Sequence, residues 1–140
     1  MGSLIDTNVW SDLQKRSRIN PGVQGWFAGV AMDDLYLSVL VVGEVRCGIE
    51  RLRRRDPEQA LRLASRLAQL TLAMSGRILP LSLQIAEQWG RINVPNPLPV
   101  VDSLLAATAL VHDLTFVTRN VRDVERSGVR CFNLFDDVDD

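Results

Sequence analysis

The sequence predicts an α/β domain with a parallel sheet covered on both faces. Three observations lead there. Short apolar runs alternate with segments of helical periodicity, the pattern of strand–helix–strand units joined by crossovers. A length of 140 residues with 46% apolar and 24% charged residues fits one domain, residues 1–140, because halves of that length would each struggle to bury a core. A formal net charge of −1 beside that apolar fraction excludes intrinsic disorder. No apolar run approaches the ~20 residues of a membrane span and no signal peptide opens the chain, so a cytoplasmic protein without membrane contact is expected.

Ser3-Leu4-Ile5 forms a short buried strand that stops at Asp6-Thr7-Asn8, a strand-to-helix turn with an N-cap for a helix from about Val9. Pro21 starts a second helix, to about Ala31, with Trp26 and Phe27 to bury. Leu35-Tyr36-Leu37 is the second strand, and Ser38 caps a helix to about Arg53 whose apolar stripe is Val42, Val45, Ile49 and Leu52. Asp56 caps the next helix, with Pro57 at its first position and Gln59 completing a capping box. Ala60, Leu63, Leu67, Leu70 and Met74 then recur every three or four residues until Gly76, so these two helices should pack as an antiparallel hairpin. Ile78 to Leu81 is a strand that Pro80 confines to a sheet edge. A helix from about Ser82 to Arg91, a Pro95–Pro99 turn and an alanine-rich helix from Val101 to His112 follow. Thr115 to Thr118 is a strand, Asn120 to Arg126 a loop or helical turn, and Val129 to Asn133 the last strand. Right-handed crossovers are expected throughout.

The charge balance is uneven. Lys15 is the one lysine among 16 basic residues, seven arginines lie between Arg46 and Arg66, and four aspartates fall within Asp136 to Asp140. A local arginine patch can track phosphates whatever the net charge; alternatively these arginines coat a solvated helix and pair with Glu50, Asp56 and Glu58. Cys47 and Cys131 are far apart and His112 is the single histidine, which excludes a disulfide framework, a zinc set and triad chemistry. Each cysteine is expected to be buried and neutral, and His112 to be structural or at the surface.

Carboxylates remain. In such a sheet, strand C-termini and helix N-termini share one edge, where sites form. Asp6 follows the first strand, Asp102 lies in the first turn of its helix, and Asp123 follows the Thr115–Thr118 strand. Glu44, about one and a half turns into its helix, leans back toward the same edge. Separately, each has an ordinary explanation: an N-cap, a flank residue, a helix-dipole partner or turn chemistry. Together they are four acids converging from four segments. Like charges ~4 Å apart repel by several kcal/mol at an effective dielectric of ~20, a conflict that a divalent cation removes. Oxygen ligands without His or Cys select Mg²⁺ or Mn²⁺. Such a metal can ionise water and stabilise a phosphoryl transition state, which points to a phosphodiesterase, most naturally a nuclease. A dehalogenase-like phosphatase would want Asp where Asn8 stands, a receiver domain needs a late lysine, and no P-loop glycine pattern exists. A non-catalytic binding module whose acidic edge grips a basic peptide is the alternative from another class.

Leu4-Ile5-Asp6-Thr7-Asn8-Val9, Gly43-Glu44-Val45-Arg46 with Gly48-Ile49, Asp102-Ser103-Leu104-Leu105-Ala106-Ala107-Thr108-Ala109 and Val117-Thr118-Arg119-Asn120-Val121-Arg122-Asp123 follow one another in this order. Together they resemble the PIN-domain ribonucleases, within them the VapC-type toxins of toxin–antitoxin modules, including the FitB-like branch. The resemblance runs from about residue 4 to 135. It implies a PIN-like three-layer α/β/α sandwich, a central parallel sheet of order 3-2-1-4-5, and Mg²⁺- or Mn²⁺-dependent endonucleolytic cleavage of tRNA, rRNA or mRNA. Asp6, Glu44 and Asp102 match the family's acidic triad. Asp123 most nearly matches the fourth acidic position, with Asn120 its rival. Thr7 and Thr118 match hydroxyl residues beside the acids. A homodimer and a VapB-like antitoxin covering the active site are also implied. Arg46, Arg53, Arg54, Arg55 and Arg119 are then assigned to contact with RNA or that partner.

Overall fold

The strand C-termini of a five-stranded parallel sheet create the edge on which everything functional converges. In the computed structural model, which describes residues 2–15 and 18–135, the strands are β1 (Ser3–Ile5), β2 (Leu35–Ser38), β3 (Ile78–Leu79), β4 (Thr115–Val117) and β5 (Cys131–Phe132). They stand in the order β3-β2-β1-β4-β5. Ser3 and Leu4 register with Leu35 and Tyr36 on one side, and Ser3 to Ile5 with Thr115 to Val117 on the other. Both Leu4 and Ile5 are buried although they point to opposite faces, so β1 is covered on both sides, as its unbroken apolar run predicts. The helices are α1 (Thr7–Leu13), α2 (Pro21–Gly29), α3 (Val39–Arg53), α4 (Pro57–Ala73), α5 (Leu83–Ile92) and α6 (Val100–His112).

One core cluster gathers Leu4, Ile5, Val9, Val23, Leu37, Val41, Met74, Leu105 and Phe116 around the sheet. A smaller one, Ile49, Ala60 and Leu67 with Val42, Val45, Leu52 and Leu63 against it, holds α3 to α4 as the hairpin that the two apolar stripes predict. Leu70 and Met74, lower on the α4 stripe, reach the main cluster instead, so α4 ties the hairpin to the sheet. Helix α6 is enclosed: Leu105, Ala106, Ala107, Thr108 and Ala109 are all buried, and their small side chains allow the close approach. The Trp89 indole N–H donates to Ser103 Oγ at 2.9 Å, pinning α5 across α6.

Several elements differ from the sequence expectation. Helix α1 begins at Thr7, not Val9, because Asp6 itself takes the cap position with extended backbone. Helix α2 ends at Gly29. β3 ends before Pro80, which has no N–H for the ladder, and lies at the sheet edge as that proline requires. β5 keeps two residues of the five expected. The capping box is half made: Asp56 Oδ1 accepts from the Gln59 N–H at 3.2 Å, but the Gln59 side chain accepts from Arg62 instead. Cys47 is exposed and Cys131 half-buried, against the expectation that both would be buried. Position 47 falls on the outer side of α3, away from the stripe that packs on α4. His112 lies at the surface. The run Asp136 to Asp140 and Met1 lie outside the described residues.

Candidate active site

The strand order reverses between β1 and β4, and a crevice opens outside the carboxyl ends of two such strands. Asp6 is the residue after β1, and Thr118 the residue after β4. The Asp6 N–H donates to Val117 O at 3.0 Å, which carries the pairing one residue past β1. The carboxylate is 4% exposed and its oxygens are held from three directions. Oδ1 accepts from the Thr7 N–H at 2.7 Å, and Oδ2 accepts from Thr118 Oγ1 at 2.6 Å and Asn8 Nδ2 at 3.4 Å. Burial pushes the Asp6 carboxyl above its ordinary range, the bonds from Thr118 and Thr7 pull the other way, and the nearby Glu44 charge adds to the rise.

Thr118 is fully buried and acts as a junction. Its Oγ1 donates to Asp6 and accepts from the Asn120 N–H at 3.0 Å. Asn120 thus contributes its backbone to the site's support and starts the 3₁₀ turn Val121–Asp123 that carries Asp123. Asn8, a motif residue without a role in the sequence reading, closes the circuit. Its Nδ2 reaches Asp6 and Thr118, and its Oδ1 accepts from the Arg119 N–H at 3.3 Å. Nothing in the spacing of Asn8 and Arg119 announces this bond, which crosses 111 positions of sequence.

Glu44 lies on α3 and is exposed. Its Oε1 accepts from Thr7 Oγ1 at 2.5 Å, which anchors α3 to the start of α1. Asp102 is in the first turn of α6, a helix whose N-cap Pro99 offers no side-chain cap, so the positive end of the helix faces the acids. Its carboxyl is pushed up to about 6: burial first, then the charges of Asp6, Asp123 and Glu44, with a hydrogen bond to Asp123 favouring the protonated form. Asp102 therefore feels all three other acids, Asp123 among them. None of the four is joined to a lysine or arginine by an ion pair among the described residues. Nor are any three His, Cys, Asp or Glu side chains among the described residues closed into a ready ligand cage. Mg²⁺ asks for no cage, since it keeps several waters and takes one or two carboxylates, and an all-oxygen donor set fits that habit.

Four of the assigned arginines lie on α3 and the turn after it, and Arg119 follows β4. Glu50 takes Arg46 at 3.3 Å and Arg53 at 3.0 Å, one and two hydrogen bonds along the exposed face of α3. Arg54 and Arg55 are exposed at the hairpin turn. The Arg119 guanidinium sits 4.5 Å from the centre of the Phe135 ring.

The PIN domain family model matches residues 3–126. Toxin FitB of Neisseria gonorrhoeae is 32% identical over 140 residues, covering 96% of this chain and 99% of that protein. VapC ribonuclease Y4jK of Sinorhizobium fredii is 28% identical over 139 residues, covering 93% and 95%. A chain of the FitAcB crystal structure from Neisseria gonorrhoeae superposes with a TM-score of 0.87 at 31% identity, covering 94% of this chain and 97% of that one. With its β3-β2-β1-β4-β5 parallel sheet and acids gathered at the switch point between β1 and β4, the chain belongs to the PIN-domain family.

Proposed function

We propose that this protein is a Mg²⁺- or Mn²⁺-dependent endoribonuclease, the toxin of a toxin–antitoxin module. The observation that carries the reading is the gathering of four acids from four chain segments around Asp102, with no cation paired to them among the described residues. That arrangement opposes folding unless something positive arrives, and its all-oxygen character selects a hard divalent ion. Asp6, Glu44, Asp102 and Asp123 would hold the metal. When bound, such an ion ionises water near neutral pH and offsets charge on a phosphoryl oxygen.

The chain's own residues do the rest. Thr118, Asn8 and the Thr7 N–H fix the Asp6 carboxylate in one orientation, so little is lost to reorganisation when a substrate arrives. Thr7 fixes Glu44 in the same way. Asp123, in hydrogen-bond reach of Asp102, keeps that carboxyl turned toward the other acids at the same edge. Exposed arginines on the hairpin would hold flanking phosphates. Similarity to Toxin FitB and to the FitAcB structure supports an antitoxin as the partner that covers this edge, and family resemblance supports a homodimer of single-domain chains.

The test is to sequence RNA ends after brief expression of wild type and of Asp6→Asn. New ends at defined positions with wild type, absent with Asp6→Asn, are expected. Identical end profiles, together with no Mn²⁺-dependent rise in melting temperature, would return the carboxylates to gripping a basic peptide.

A further inference from the structure

A second feature adjoins the carboxylates without belonging to them. Between α1, α3 and α4 lies a cavity of about 210 Å³ lined by Thr7, Trp10, Ser11, Gln14, Glu44, Val45, Gly48, Ile49 and Leu63. Two of those residues, Thr7 and Glu44, are the pair that joins α1 to α3 at the acidic edge, so the cavity opens directly beside the proposed point of cleavage. We propose that it is a nucleobase subsite: it takes one unpaired base of the RNA strand next to the scissile phosphate. This rests on the nuclease reading above and names what that same site recognises.

Size, lining and charge support that occupant. The volume falls below the ~300–1,000 Å³ of pockets for drug-sized molecules, so a single planar ring system fits and a stacked pair does not. The walls supply an aromatic face, Trp10, with aliphatic side chains Val45, Ile49 and Leu63. Bases stack on aromatic faces whatever their identity. Ser11 brings a hydroxyl and Gln14 an amide for the base edge. That amide is oriented by Arg66, whose Nη1 donates to Gln14 Oε1 at 3.0 Å. Gly48 leaves one wall open, since a Cβ there would meet nothing within 4 Å.

Charge is arranged for a polyanion. Along α3, Glu44, Gly48 and Arg51 fall on one side at i, i+4 and i+7, and Arg55 follows in the turn just past the end of the helix. At 1.5 Å per residue, Gly48 lies about 6 Å and Arg51 about 10 Å beyond Glu44. Arg51 and Arg55 are exposed, and Arg66 stands against Gln14. A strand with one phosphate at the acids and its base in the cavity thus runs on toward arginines. A neutral apolar peptide would gain nothing from them.

The test uses full-length protein and single-stranded RNA trinucleotides of each base, with a version abasic at the central position, in EDTA so that no cleavage occurs. Quenching of Trp10 fluorescence, isolated by difference against Trp10→Phe, reports binding. Base-containing trinucleotides should quench and bind about tenfold more tightly than the abasic one. Gly48→Leu, which fills the cavity from a helix position with room for it, should remove that difference while leaving thermal unfolding intact. With Mg²⁺ present, Gly48→Leu should raise KM about tenfold for base-containing substrate with kcat changed less than about twofold. Asp6→Asn should abolish cleavage yet keep the quenching, so that failure of the nuclease reading and failure of the subsite are separate results. Equal binding of abasic and base-containing RNA, with wild-type cleavage intact, overturns the proposal. So does a Gly48→Leu protein that handles RNA normally and loses only its protein partner, which would make the cavity an apolar side-chain socket.

Discussion

The carboxylate edge and the α3–α4 hairpin carry opposite charge and manage it in opposite ways. On the hairpin, Arg46 and Arg53 meet Glu50 three or four residues away, in water, on one helix face. Such pairs are local, exposed and screened by water, so they add little to stability. At the edge, Asp6, Glu44, Asp102 and Asp123 come from four separated segments and are paired to no cation among the described residues. Charge balanced by its sequence neighbours maintains a surface. Charge assembled by the tertiary fold against its own repulsion, and left unbalanced, is what a site looks like before its ligand arrives.

The strongest way to break the comparison is to remove one acid. Asp102→Asn should lower RNA cleavage more than about 100-fold while circular dichroism shows an unchanged fold; a cleaving variant would demote the edge to a structural cluster. Next in size is metal binding. Mn²⁺ at about 100 times its dissociation constant should stabilise the wild type by ~2.7 kcal/mol, a rise of several degrees in melting temperature, and EDTA or Asp102→Asn should erase that gain.

A pH series on metal-free protein sharpens the point. The folded-state pKa of Asp102 is raised from 3.8 to about 6. Its contribution to stability is therefore complete below about 4 and is lost as pH rises through about 6. The wild type should melt a few degrees lower at pH 8 than at pH 4.5 on this account, and Asp102→Asn should be the more stable protein at pH 8 but not at pH 4.5. A higher melting temperature for wild type at pH 8 would refute the repulsion. The smallest effect belongs to the hairpin. Changing Arg53, Arg54 and Arg55 together to Gln should leave the melting temperature almost unmoved, yet weaken RNA binding and flatten its salt slope by up to about 2. An unchanged slope would assign the whole run to solvation.

Much of this was legible in the chain. Strand and helix identities followed from apolar period and from punctuation such as Ser38, Asp56-Pro57 and Gly76, whose φ of +88° suits a residue without a Cβ. Asp6 was visible because a carboxylate directly after a buried strand has few places to go. The supporting circuit was not. Asn8 bonding across to Arg119, and Thr118 to Asp6, depend on β1 and β4 being neighbours, which no local pattern encodes. Element ends also escaped, because Asp6 could cap at its own position or two residues later. The exposure of Cys47 was within reach of the sequence, since position 47 lies opposite the Val42, Val45, Ile49 and Leu52 stripe that packs on α4.

Sequence alone determined the secondary elements, the parallel character of the sheet and the supply of carboxylates without histidine or cysteine partners, since period, capping and side-chain chemistry are properties of short segments. Only the tertiary structure decided that Thr118 donates to Asp6, that Thr7 reaches Glu44, that Asp102 feels the charge of Asp123, and that a cavity opens beside them. Those are contacts between residues tens of positions apart. They exist because burying both faces of one sheet forces distant segments to a common edge.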